Sequence, residues 1–128
     1  MAKTTGSKMA VFGGWIMTLA VVALFCFSAS MKISGKPQAL QMMGQLGWSE
    51  SALIPLACLE LTCTALYLIP QISVLGAIIL TGYLGGAIAT HVRLGQAVYL
   101  HVVIGLFIWG GLYLREPRLR ALLPTRSV

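Results

Sequence analysis

Residues 56–70 read LACLELTCTALYLIP, with Glu60 near the middle of the run. Apart from that carboxyl, every side chain from Leu56 to Pro70 is apolar or weakly polar. An ionisable group near the centre of a membrane-length helix costs ~2.5–3.5 kcal/mol on insertion scales, so it turns toward other helices or a wet cavity. Glu60 is therefore a candidate functional residue, and the rest of the chain is expected to supply three more helices packed around it.

Composition supports a membrane setting. Of 128 residues, 58% are hydrophobic and 9% charged, and the mean hydropathy is +0.87. A soluble domain carries ~25% charged residues. The length fits a single domain over residues 1–128. The chain has no Asp and no Asn, which excludes aspartyl dyads, EF-hand loops and N-glycosylation sites. The acids are Glu50, Glu60 and Glu116. A net charge of +6 raises nucleic acid as a partner, but the Lys and Arg residues flank apolar segments and form no basic stripe with interleaved aromatics. Basic ends beside anionic lipid account for them. Cys26, Cys58 and Cys63 all lie in apolar segments, without CxxC or zinc spacing, and read as small packing residues.

Four apolar spans are predicted, over about 11–29, 52–69, 72–90 and 97–114, each long enough for ~30 Å of hydrocarbon. Ser28-Ala29-Ser30 offers the small residues of a signal-peptide cleavage site. The first run exceeds the ~7–15 residues of a signal core, however, and is read as an uncleaved helix. Between the first two spans, Pro37 suits the first position of a short helix to Leu46. Leu40, Met43 and Leu46 give it helical spacing, and Trp48 would lie at headgroup depth. Ser49 is expected to cap the second span, with Glu50 near its positive end. Pro70-Gln71 leaves room only for a tight hairpin into the third span. There, Gly82-x-x-x-Gly86 and Gly85-x-x-x-Ala89 suit either close helix packing or room for a flat ligand. Residues 91–96 are expected to form a polar turn, and the Arg-rich tail a lipid-contacting end.

Lys3, Lys8, Arg115, Arg118, Arg120 and Arg126 fall on one side, against Lys32, Lys36 and Arg93 on the other, which predicts both termini in the cytoplasm. At 1.5 Å per residue, Glu60 falls near the midplane, level with Thr81 to Tyr83. His101 lies about a turn outward, and His91, Arg93 and Lys32 lie at the outer interface. These five residues make a candidate ladder, with Tyr83, Tyr99, Ser28 and Thr62 as hydrogen-bond partners. His101 is the expected partner of Glu60. The same residues also have purely structural readings: a neutral or paired carboxyl joining helices, interfacial anchors at His91 and Arg93, and a packing histidine at His101. Trp15, Tyr67, Trp109 and Tyr113 read as an interfacial belt.

The order of short motifs resembles the DoxX-like family of small four-helix membrane proteins. The carriers are Phe27-Ser-Ala-Ser-Met-Lys-Ile-Ser-Gly35, Leu46-Gly-Trp48 and Leu59-Glu-Leu-x-Cys-x-Ala-Leu-Tyr-Leu-Ile-Pro70. Leu80-Thr-Gly-Tyr-Leu-Gly-Gly-Ala-Ile-Ala-Thr-His-Val-Arg93 follows, and the tail from Trp109 to Pro124 closes the match. The resemblance implies an all-α four-helix bundle in a bacterial inner membrane, with a polar site at Glu60, Thr90, His91 and Arg93. It also implies an association with thiosulfate:quinone oxidoreduction and membrane redox complexes in some relatives, and with receptor assembly in distant ones. The chain carries no cofactor-attachment motif, so a redox role calls for a partner protein that brings the flavin or metal.

Three functional classes follow. In the first, a quinone-linked redox subunit uses Glu60 and His101 as a proton relay and Arg93 to hold an anionic or carbonyl group. In the second, Glu60, Tyr83, Thr90, His91, Arg93 and His101 bind or transport a small lipophilic molecule without chemistry. In the third, an assembly subunit or homo-oligomer docks through the Gly82/Gly86 face. The Met31–Glu50 segment suits a lid over the pocket or an interfacial helix equally well.

Overall fold

The computed structural model describes residues 5–123. Lys3, Pro124 and Arg126 lie outside these residues. The described residues form six α-helices: α1 (Thr5–Ser34), α2 (Pro37–Gln45), α3 (Leu53–Leu68), α4 (Ser73–Arg93), α5 (Tyr99–Arg115) and α6 (Pro117–Arg120). Among the described residues there is no strand, and the architecture is the expected all-α bundle. α1 packs on α3 and α5, and α4 packs on α3 and α5, so the four long helices close a ring. Among the described residues, three stretches are long and apolar enough to cross a membrane: Lys8–Ser34, Glu50–Leu68 and Pro70–Arg93. α5 is apolar but shorter, at 17 residues.

The short connecting helix begins at Pro37 and ends at Gln45, one residue before the expected end. It buries Ala39 and Met43. Ser49 does not cap α3 with its side chain. Its hydroxyl lies 2.9 Å from that of Ser51, and a 3-10 turn over Glu50–Ala52 leads into α3 instead. The Ser49 carbonyl accepts the turn's first backbone bond, from the Ala52 N–H at 3.0 Å.

α4 runs three residues past the predicted end, so His91 and Arg93 are helical rather than part of a turn. No residue before Gly95 stops the helix. Gly95 adopts φ +70°, the left-handed conformation that terminates helices. The N–H of Gln96 then returns to the His91 carbonyl at 2.9 Å. The α3–α4 turn is tight as predicted, with Pro70–Ile72 in a single 3-10 turn.

Small residues bring backbones together at two crossings other than the expected one. A Cβ on Gly14 would lie 2.6 Å from the Gly111 carbonyl oxygen, where α1 crosses α5. A Cβ on Gly76 would lie 2.6 Å from the Leu66 carbonyl carbon and collide with the Tyr67 backbone, where α3 crosses α4. At Gly82, Gly85 and Gly86, by contrast, it would meet nothing within 4 Å. The repeat on α4 therefore makes no close helix contact within this chain.

The outward surface is strongly apolar: Phe12 is 69% exposed, and Phe27 and Leu106 66% each. In lipid such faces gain nothing by hiding, so close packing and polar links must hold the helices together. One such link lies at the end carrying the α3–α4 turn. Arg115 donates to the Thr18 hydroxyl at 3.0 Å and to the Tyr67 carbonyl at 2.9 Å. Its guanidinium lies 4.5 Å from the Trp15 ring centroid and 5.0 Å from that of Tyr67. The buried Tyr67 hydroxyl donates to the Ile108 carbonyl at 2.6 Å. Arg115 is thus an internal clamp across α1, α3 and α5 rather than part of a lipid-contacting tail, and the fully buried Tyr67 serves it rather than an interfacial belt. Trp109 is likewise engaged, donating to the Thr81 hydroxyl at 2.8 Å. Arg120 bonds the carbonyls of Tyr113 and Leu114, closing the end of α5.

Candidate functional site

Glu60 sits seven residues into α3, about 10 Å along its axis from Leu53, and is 1% exposed. Its charge partner is Lys32 of α1, whose Nζ lies 2.9 Å from Oε2. Lys32 also donates to Ser28, one turn back on the same helix, at 2.7 Å. The Tyr83 hydroxyl donates to the same carboxyl oxygen at 3.4 Å. Phe25 meets the Tyr83 ring edge-on, with centroids 6.2 Å apart. Two helices thus contribute opposite charges, and a third supplies a phenol. Removing either partner would leave an uncompensated buried charge.

This pairing differs from the expected Glu60–His101 contact. His101 stacks on His91 instead, with ring centroids 4.3 Å apart and planes tilted by 52°. His91 Nδ1 lies 2.8 Å from the Ala87 carbonyl, a contact in which the ring nitrogen donates. His101 Nδ1 is buried and has no hydrogen-bond partner. Lys32 prevails over His101 because its flexible stem carries a full charge inward from the end of α1, whereas the imidazoles lie between α4 and α5.

Glu60, Lys32, Tyr83, Thr90, His91 and His101 all line one cavity of about 420 Å³, whose walls are mainly apolar. Thr90 is turned onto its own helix, donating to the Gly86 carbonyl at 2.9 Å. The bare backbone of Gly82 and Gly86 forms part of the wall. Met42, Met43, Leu46 and Trp48 cover the cavity from α2 and the loop after it.

Arg93 is not among the lining residues. It donates to the Leu46 carbonyl at 3.0 Å, fastening the loop after α2 to the end of α4. Gly47 sits beneath it at φ +87°, and a Cβ there would come within 2.8 Å of Arg93 Nη2. Arg93 therefore holds the cover rather than a ligand group. Tyr99 is 74% exposed, and Thr62 bonds its own helix at Cys58, so neither joins the site. A second depression of about 400 Å³ lies at the opposite end, walled by Pro70, Gln71, Glu116 and Arg118.

The site as built can bind a polar head and hold a proton at several places. Lys32 supplies a cationic donor, Glu60 an acceptor, Tyr83 a hydroxyl, and the imidazole pair an unengaged ring nitrogen. Sequence reasoning left Lys32 out of the binding set, although Ser28 and Lys32, four residues apart on α1, mark one polar face of that helix. Met42, Met43 and Trp48 fall in the Met31–Glu50 segment expected as a lid or an interfacial helix, but no local pattern singles them out as cavity residues.

Searches among curated proteins and among solved structures find no match for this chain. The motif resemblance drawn through Pro124 extends past the region a family model recognises, which ends at Gly111 and leaves out the Arg115 clamp. That region, residues 16–111, matches the DoxX-like family model and contains every residue lining the cavity, so this multi-pass membrane chain belongs to the DoxX-like family.

Proposed function

We propose that this protein binds a small lipophilic molecule with a polar head, such as a quinone, in the intramembrane cavity around Lys32 and Glu60, as part of a membrane redox complex. One observation carries the reading: a charged pair, with its carboxyl 1% exposed, faces a mainly apolar cavity of about 420 Å³. Ionisable side chains within membrane helices are costly, and those retained facing a cavity mark functional sites. A partner protein would supply any flavin or metal. Tyr83, Glu60 and the imidazoles are the groups that would pass protons to the bound head. All four long helices span the bilayer in this reading, α5 at 17 residues meeting the lower end of the ~17–25 residue range. In the same reading both termini lie on the cytoplasmic side of a bacterial inner membrane, an orientation that the distribution of Lys and Arg favours.

A binding or transport role without chemistry is the second reading. The cover favours it, because an exposed hydrogen bond from Arg93 to the Leu46 carbonyl ties the loop after α2 to the end of α4 beside the cavity. Native mass spectrometry of the detergent-purified protein tests both readings. A lipophilic adduct on the wild type that disappears in Glu60→Gln supports the cavity, and a redox change of that adduct on adding an electron donor separates the first reading from the second. If both forms are empty at the same oligomeric mass, the cavity reading fails, leaving assembly through protein partners.

A further inference from the structure

Resting on the binding reading above, we infer that the cavity selects an uncharged, flat amphiphile with oxygen in its head, and rejects both anionic and cationic heads. Lys32 and Glu60 face the cavity together at 2.9 Å, so their charges cancel. Arg93, the basic residue at the end of α4, is turned away onto the Leu46 carbonyl. A carboxylate or phosphate that reaches Lys32 also meets Glu60, and an ammonium that reaches Glu60 also meets Lys32. Either ion brings a net charge into a cavity whose walls are mainly apolar. A neutral head carries no such cost. An ammonium has three donors, and Lys32 gives one to Ser28 and one to Glu60, leaving a third for a carbonyl oxygen. The imidazole of His101, whose buried Nδ1 has no hydrogen-bond partner, lines the same cavity.

Shape follows from α4. Gly82 and Gly86 stand one turn apart and line the cavity, and neither has an atom within 4 Å of where a Cβ would be. They leave about 6 Å of bare backbone along the helix, enough for one ring to lie flat. Gly85 is just as open but does not line the cavity, which makes it a control within the same helix turn.

The test uses the full-length protein in detergent and three probes with ten-carbon tails: a decyl-substituted benzoquinone, decanoate and decyltrimethylammonium. Equilibrium dialysis gives each affinity. The wild type should hold the benzoquinone at least about tenfold more tightly than either ion, a difference of about 1.4 kcal/mol. Glu60→Gln leaves Lys32 unbalanced, so decanoate should gain about tenfold while the benzoquinone weakens. That gain of binding cannot come from misfolding. Gly86→Leu should weaken the benzoquinone about tenfold, and Gly85→Leu should change it by less than about twofold. The inference is overturned if the wild type holds decanoate as tightly as the benzoquinone, if Glu60→Gln keeps the wild-type order, or if Gly86→Leu behaves like Gly85→Leu. Benzoquinone binding that depends on Glu60 but shows no charge order would leave the binding reading intact and sink only the selectivity. If no probe binds the wild type, both fall.

Discussion

The ammonium of Lys32 and the carboxyl of Glu60 meet at 2.9 Å between α1 and α3, with Ser28 and Tyr83 completing the set of donors and acceptors. The pair does two things at once. It joins two helices whose outward faces are apolar, and it places a donor and an acceptor on the wall of a cavity.

Breaking this pair from one side should be costly. Lys32→Met and Glu60→Leu should each destabilise the protein by about 3–5 kcal/mol, because each leaves the other charge buried alone. The double variant should recover most of that loss. Thermal unfolding in detergent checks it, and a double variant as unstable as the sum of the two singles would show that the charges do not compensate one another.

Arg115→Ala should cost about 2–4 kcal/mol, from two hydrogen bonds of a charged donor and stacking on Trp15 and Tyr67. Arg115→Lys should recover only a minor part, since a point charge cannot reach Thr18 and the Tyr67 carbonyl in a planar fork. Unfolding midpoints of the two variants measure this. Full recovery with lysine would mean that charge alone matters at that end of the bundle.

Arg93→Ala should loosen the cover without unfolding the bundle. Amide exchange over residues 37–48 should accelerate, while exchange in α3 stays unchanged. Gly47→Ala should act in the same direction and add about 1 kcal/mol of strain, because its φ is +87°. Exchange that rises equally in α3 would mean that Arg93 supports the whole fold.

Glycines on one helix should divide sharply. Gly76→Ala should destabilise by about 1–3 kcal/mol or more, since its Cβ would press on the backbone of Leu66 and Tyr67. Gly86→Ala has open space and should stay within about 0.5 kcal/mol of the wild type. Melting curves of the two variants give a direct comparison, and equal losses would place Gly86 in a helix contact.

Much of the fold is legible in the chain because lipid imposes a coarse rule: long apolar runs become helices. That rule, with Pro37 and the Pro70-Gln71 break, locates the long helices, the short α2 and the tight hairpin, although α1 runs from Thr5 to Ser34, well beyond the expected 11–29. Glu60 stands out by the same rule. Its partner does not, because a pairing between residues 32 and 60 depends on how α1 turns and how far a lysine stem reaches, and neither has a sequence period. The reach of α4 to Arg93 was hidden for a different reason: His91 and Arg93 look like loop residues by polarity, and only the left-handed Gly95 stops the helix. The glycine repeat misled because small residues at a four-residue spacing permit close contact without requiring it, and the contacts formed at Gly14 and Gly76 instead. Arg115 was hidden by its neighbours, since an arginine followed by Glu116, Pro117 and Arg118 reads as the start of a tail.

The two polar fastenings differ in when synthesis makes them available. Lys32 and Glu60 lie on the first two long helices, so their charges can neutralise each other before α4 and α5 have left the ribosome. Arg115 stands at the end of α5 and ties it back to α1 and α3, which it can do only once nearly the whole chain has been made. The order of translation is therefore also the order in which the fastenings become available: the ion pair once α3 is made, and the arginine only at the end of α5.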